Sequence, residues 1–176
     1  MIRIKTYLLS TAAFFVMLCA VPSSAKAQDV DYKAYSLYVY NFVKYIEWPN
    51  LEGDFVIGVV GDSPITKELE NLAKTKKAKG HTIIIKKIIS VDEANSCQLV
   101  YVSSAKSSMI RSINEKTKGR SVLVVGEREG SAKKGAALSF ITLDDDVLKF
   151  EINKTVLDQN KLKIPAVLAN LGLPAL

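Results

Sequence analysis

Few side chains in this sequence can do covalent chemistry. The chain carries one histidine, His81, and two cysteines, Cys19 and Cys97. Gly61-Asp62-Ser63 follows an apolar run and offers a hydroxyl, but Ile65 stands where the Gly-x-Ser-x-Gly elbow of a hydrolase needs its second glycine. A hydroxyl nucleophile also needs a base, and only His81 could serve. His81 follows a helix-stopping Gly80 and opens a strand-like run, which is the place of a surface or strand-end histidine. Gly58-x-x-Gly61 has the outline of a phosphate cradle at a helix N-terminus. Without a full Gly-rich fingerprint or a Gly-Lys-Ser/Thr, it is better read as a tight strand-to-helix turn. One histidine and no carboxylate–histidine spacing give no basis for a metal site, and no cofactor is expected. The acids Asp144 to Asp146 read as a solvated hairpin tip rather than a cation site. The inventory therefore points away from an enzyme and toward a protein that binds.

Two surfaces could do the binding. Seven lysines lie between Lys67 and Lys87, softened only by Glu68 and Glu70. They form a solvated face or, as a second reading, a patch for anionic lipid in an envelope-assembly role. The other surface is aromatic: Tyr32, Tyr35, Tyr38, Tyr40 and Tyr45 with Phe42 and Trp48. Most of these rings must pack on a sheet, yet Tyr40 cannot share a helix face with Tyr38 and Phe42. The residue set Tyr40, Trp48, Asp62 and Ser63 is thus a candidate surface for a small ligand or a protein partner.

The elements that must position these groups follow from periodicity. Spacings of three and four among Tyr35, Tyr38, Phe42 and Tyr45 predict a helix over residues 33–48, ended by Pro49. Residues 54–60 form a short β-branched run suited to a strand buried on both faces. A second helix is expected from a Ser63 cap and Pro64 to about Lys77. Strands are expected at 81–88 and 98–102, a helix from Ser107 or Ser108 to Lys118, and a strand at 121–125. A polar loop at 126–135 leads to a hairpin of 136–143 and 147–152, whose second arm alternates Leu148, Phe150, Ile152 against Lys149, Glu151. Short helices at 154–160 and 165–171 close the chain. Strands alternating with helices and then a hairpin indicate an α/β fold: a single three-layer domain with a mixed, mostly parallel sheet and a C-terminal antiparallel hairpin.

Length and composition agree. The 176 residues are 48% hydrophobic and 24% charged, an ordinary globular balance sufficient for one core. Residues 1–27 have the form of a signal peptide: Arg3 and Lys5, an apolar run from Tyr7 to Val21, then Ala25-Lys26-Ala27. The apolar run is short for a membrane span, so an uncleaved anchor is the weaker reading and no stable membrane insertion is expected. Cleavage after Ala27 removes Arg3, Lys5 and Lys26 and no acid, which lowers the formal charge from +6 to +3 and leaves a domain of residues 28–176. An exported protein does not meet chromosomal DNA, so the lysines are not a nucleic-acid footprint. Cys97 is then alone, either buried as a small hydrophobe at the head of Leu99-Val100-Tyr101-Val102 or an intermolecular partner; burial is the preferred reading.

The segment Tyr40-Asn41-Phe42-Val43-Lys44-Tyr45-Ile46-Glu47-Trp48-Pro49 resembles the opening signature of the YfiR family of small exported proteins. Later blocks keep the family's order: Ile57 to Pro64, Cys97 to Val102, Val122 to Gly126, Leu148 to Asn153, then Leu162-Lys163-Ile164 and Val167-Leu168. The resemblance implies a periplasmic, non-enzymatic regulator with an α/β fold, often a homodimer. It implies binding to the periplasmic sensor region of an inner-membrane diguanylate cyclase, whose activity it represses or tunes; the chain itself does not encode that partner, and a sensor kinase or another membrane receptor fits equally well. It further implies partner contact through Glu151, Asn153 and Leu157, with Leu157 as the apolar anchor. The other reading of the same residues is that Asn153 caps the next helix and Glu151 is merely solvated. The chain departs from the family pattern in having one mature cysteine, Gly130-Ser131-Ala132 and Gly135-Ala136 in the loop, and Pro165-Ala166 near the end.

Overall fold

The computed structural model of the chain describes residues 30–144 and 146–175; the leader, Cys19 and the cleavage after Ala27 lie outside the described residues. Asp31 to Leu176 forms one compact unit. Helix α1 spans Tyr32–Tyr45 and is capped by Asp31, whose carboxylate accepts from Ala34 N at 3.0 Å. Its Tyr35, Val39, Phe42 and Val43 are buried, so the stripe anticipated from the spacing is real but rotated toward the valines. The helix stops three residues before the expected end. Ile46 turns extended, and Glu47 and Lys163 exchange backbone hydrogen bonds at 2.9 and 3.3 Å.

The strands are β1 (Phe55–Val60), β2 (Lys77–Ala78), β3 (His81–Ile88), β4 (Leu99–Val102), β5 (Leu123–Gly126), β6 (Leu138–Thr142), β7 (Leu148–Ile152) and β8 (Leu173–Pro174). They form one sheet in the order β2-β3-β1-β4-β5-β6-β7-β8. The pairs β1/β3, β1/β4, β4/β5, β5/β6 and β7/β8 are parallel, while β2/β3 and the hairpin β6/β7 are antiparallel. The mixed, mostly parallel α/β sheet expected from the sequence is therefore present. The outermost strands, β2 and β8, are two residues each.

Alternation along β1 divides the core. Phe55, Ile57 and Val59 pack on one face with α1, α2 (Ile65–Ala73), α4 (Lys154–Gln159) and α5 (Ala166–Ala169). On the other face Val60, Val100, Val102, Val122 and Val124 meet α3 (Ile110–Thr117) and Ala94 of the 3-10 turn Val91–Ser96. That turn starts with a capping box in which Ser90 and Glu93 satisfy each other's backbone donors. Cys97 belongs to this second core at 3% exposure. A Cβ on Gly58 would overlap Ile88 and lie 2.9 Å from Cys97 Sγ, so glycine is what lets β1 approach there. Burial pushes the Cys97 thiol up.

Two helix boundaries differ from expectation. α2 ends at Ala73 rather than Lys77, because Lys77–Ala78 pairs with Thr82 and His81 across a turn in which Lys79 and Gly80 both take positive φ. α3 begins at Ile110, without a side-chain cap, after a 3-10 turn Ser104–Met109 that occupies the expected Ser107 start.

Candidate functional site

The residues implied as a partner surface are brought together around the end of β7, in three different environments. Asn153 caps α4: its Oδ1 accepts from Val156 N at 3.1 Å, and its Nδ2 donates to the Ala132 carbonyl at 3.1 Å. The cap thus also ties α4 to the 126–135 loop. Glu151 is half-buried and pairs in register with Ser139 of β6 and Leu173 of β8. Its Oε2 is closed off from solvent and has no hydrogen-bond partner. Leu157 is 1% exposed and lies in the core under α1 and β7. It is therefore no surface anchor. Its spacing from Val156 and Leu162 aims it inward, and it acts on any contact only through the helix it holds.

The four residues of the expected ligand surface do not form one surface. Tyr40 is half-buried, and its hydroxyl donates to the Lys77 carbonyl at 3.5 Å. Trp48 is 9% exposed, stands edge-on to Phe55 at 5.1 Å, and donates its indole N–H to the Gln98 carbonyl at 3.3 Å. Both lie at the end where β1 and β3 begin. Asp62 and Ser63 lie at the opposite end, after β1 finishes. Asp62 is exposed and pairs with Lys87 at 2.5 Å; the hydrogen bond from Lys87, then its charge, lowers the Asp62 pKa. His81 opens β3, at the Trp48 end, with Nδ1 at 2.6 Å from the Gly53 carbonyl, so it cannot serve Ser63. Of the seven lysines, Lys86 and Lys87 are held by Glu93 and Asp62.

Ser63 leads to a site that sequence reasoning missed. Its hydroxyl donates to Glu127 Oε1 at 3.2 Å, and the backbone N–H of Ser104 donates to Glu127 Oε2. Glu127 is only 5% exposed, yet no lysine or arginine among the described residues pairs with it. Around it stand Tyr32, Tyr35 and Tyr101, whose phenols all feel its charge. Burial first, then Glu127, pushes the Tyr32 pKa up to about 12 and raises that of Tyr101 further. The Tyr101 hydroxyl, 0% exposed, lies close to the carboxylate but makes no well-formed hydrogen bond, and neither does the buried Ser103 Oγ.

Topology explains this assembly. β1 and β4 are adjacent parallel strands from which the chain leaves in opposite directions, to β3 on one side and β5 on the other. The crevice beyond the carboxyl ends of such a pair is where open α/β sheets gather polar groups. The turn after β1 supplies Ser63, the turn after β4 supplies Ser103 and Ser104, and the end of β5 supplies Glu127. Gly61 lets the first two turns touch, since a Cβ there would overlap Ser103 Oγ. Gly126 does the same for the β5 turn, which folds back so that Ser131 and Ser139 both donate to the Arg128 carbonyl, at 2.7 and 2.8 Å. One signal was available in the sequence: a carboxylate placed directly after the apolar run Val122 to Val125.

Among the described residues, no helix is long and apolar enough to cross a membrane, and no group of three His, Cys, Asp or Glu is placed to hold a metal ion. The chain matches the family described as YfiR/HmsC-like over residues 32–172. No curated protein matches it.

Proposed function

The chain belongs to the YfiR/HmsC-like family, and we propose that it is a periplasmic, non-catalytic regulator of an inner-membrane signalling protein. It binds that protein's periplasmic sensor region, in a diguanylate cyclase or a sensor kinase, and represses or tunes its output. The mechanism is equilibrium bias: the regulator prefers one conformation of the sensor region and shifts the population toward it. A hundredfold change in that population requires about a hundredfold preference, roughly 2.7 kcal/mol of differential binding.

Glu151 carries the reading. Glu151 is half-buried, with its Oε2 sheltered and given no donor among the described residues, and the part of its side chain left at the surface offers a negative charge to an N–H or a cation of a partner. Lys149 shares its side of β7, and the Asn153 cap fixes the strand-to-helix corner beside it. Leu157 supports that corner from within.

In-cell photo-crosslinking from position 149, followed by identification of the captured protein, tests the proposal. The expected result is a membrane receptor whose capture is lost with Glu151→Lys and retained with Lys77→Ala. Capture of the chain's own copies alone, or capture indifferent to Glu151→Lys, overturns it.

A further inference from the structure

The outer side of the helix layer carries a charge pattern that the regulatory reading does not use. Along α1, Lys33, Leu37, Tyr40 and Lys44 follow at steps of four, three and four, so they share one stripe. That stripe lies opposite Tyr35, Val39 and Phe42, which the core buries. Lys33 and Lys44 are exposed, Leu37 between them is 53% exposed, and α1 contains no acid. Beside it on the same face of the sheet, α2 buries Ile65 and Leu69 and turns Lys67 and Lys74 outward. Glu70 is the acid on that outer side, and Glu68 sits half-buried on the flank.

The opposite face of the sheet is balanced. There Lys116 pairs with Asp92 at 2.5 Å and Lys86 with Glu93 at 3.0 Å. None of Lys33, Lys44, Lys67 and Lys74 is ion-paired among the described residues. Lys74 donates to the Asn71 side chain, and Lys44 stands 4.8 Å from the Tyr45 ring. The four lysines thus form a spread array of cations with an exposed leucine inside it. A single small anion would meet one or two of them. A planar array of phosphates meets all four, and the boundary of its headgroups takes up the leucine, as for a helix lying in a membrane interface.

We infer that the outer side of α1 and α2 docks on an anionic phospholipid bilayer, with the four lysines on the phosphates and Leu37 at the headgroup boundary. Binding is peripheral, since no described helix is long and apolar enough to cross a membrane. The inference stands apart from the partner surface at Glu151, and either can fail without the other.

Co-sedimentation of the purified mature protein with phosphatidylglycerol vesicles tests it, with phosphatidylcholine vesicles as the neutral match. Binding should saturate on the anionic vesicles, fade as salt rises and be absent from the neutral ones. Each lysine near such a surface contributes about fivefold in affinity, so Lys33→Glu with Lys44→Glu should weaken binding at least about twentyfold. Arg111→Glu with Lys118→Glu makes the same change of charge on the α3 side and should weaken it far less. Leu37→Ser should weaken binding at every salt concentration alike. All five side chains are exposed, so each variant should melt with the parent. Five results overturn the inference: no saturable binding to anionic vesicles, equal binding to neutral ones, equal weakening by the two charge reversals, Leu37→Ser binding as the parent does, or displacement by free glycerol phosphate.

Discussion

Leu157→Ala separates a contact residue from a structural one. The side chain is 1% exposed and packed in the core that α1, α4 and the sheet share. Truncation removes its buried methyl groups and leaves a cavity, and such changes cost about 2–5 kcal/mol. A domain of this size holds only about 5–15 kcal/mol in total. Each kcal/mol lowers the melting temperature by about 2–4 °C at this length, so the expected drop is about 4–20 °C. A circular dichroism melt of the purified mature protein measures it, and a urea titration should show a lower midpoint with the slope unchanged. Partner capture should fall only in proportion to the folded protein lost, and should recover at a temperature where the variant is fully folded. Glu151→Gln should do the opposite: it keeps the size and the polar end of a half-buried side chain, so it should leave the melt nearly in place while weakening capture. A Leu157→Ala protein that melts within about 1 °C of the parent yet loses its partner would refute the reasoning, because it would place Leu157 on the surface.

Three other outcomes follow from the same contacts. Asn160, 0% exposed, accepts from Gly119 N and donates to the Val122 carbonyl at 3.0 Å each; Asn160→Ala leaves both unpaired and should cost about 2–5 kcal/mol by urea unfolding. Gly58→Ala drives a methyl into Ile88 and Cys97 and should destabilise by about 1–3 kcal/mol, while making the Cys97 thiol more reactive to a maleimide as its packing loosens. The phenols of Tyr32, Tyr35 and Tyr101 are raised above the ordinary value of about 10, chiefly by burial. A raised folded pKa adds stability that is complete below the unfolded value and lost as pH climbs through the folded one. Stability should therefore fall from about pH 10 upward, with these tyrosines forming phenolate late in an absorbance titration and together with unfolding.

The layered sheet was legible because its strands carry their own signals. Residues 55–60 are uniformly apolar, and the arm from Leu148 to Ile152 alternates. Helix ends were less legible where tertiary pairing overrode local preference. Nothing in Ile46-Glu47-Trp48 announces a bridge to Lys163, 116 residues on, and Lys77, which favours a helix by type, was taken into a strand by β3. The turn at 91–96 was legible in principle from Ser90-Val91-Asp92-Glu93, the capping-box spacing. The crevice was not. Gly126-Glu127-Arg128-Glu129 reads as one more solvated loop, and Ser63 meets Glu127 across 64 residues only because β4 lies between their strands. Ser63 entered the sequence reading as a cap, a role its Oγ keeps in part by accepting from Ile65 N at 3.5 Å, and as a possible ligand contact beside Trp48, which lies at the other end of the sheet.

The two margins of the sheet limit how this molecule can be recognised. One ends in a strand containing Pro174, which has no N–H to give, and beyond Thr82 the other margin displays Lys86 and Lys87. The first margin is short, but β2 covers only His81 and Thr82 of β3, so the Ile83 to Ile88 edge is guarded by side-chain charge rather than by brevity. Two copies meeting along that margin would set Lys86 and Lys87 against their own images, so removing both charges is what would open it to another rung.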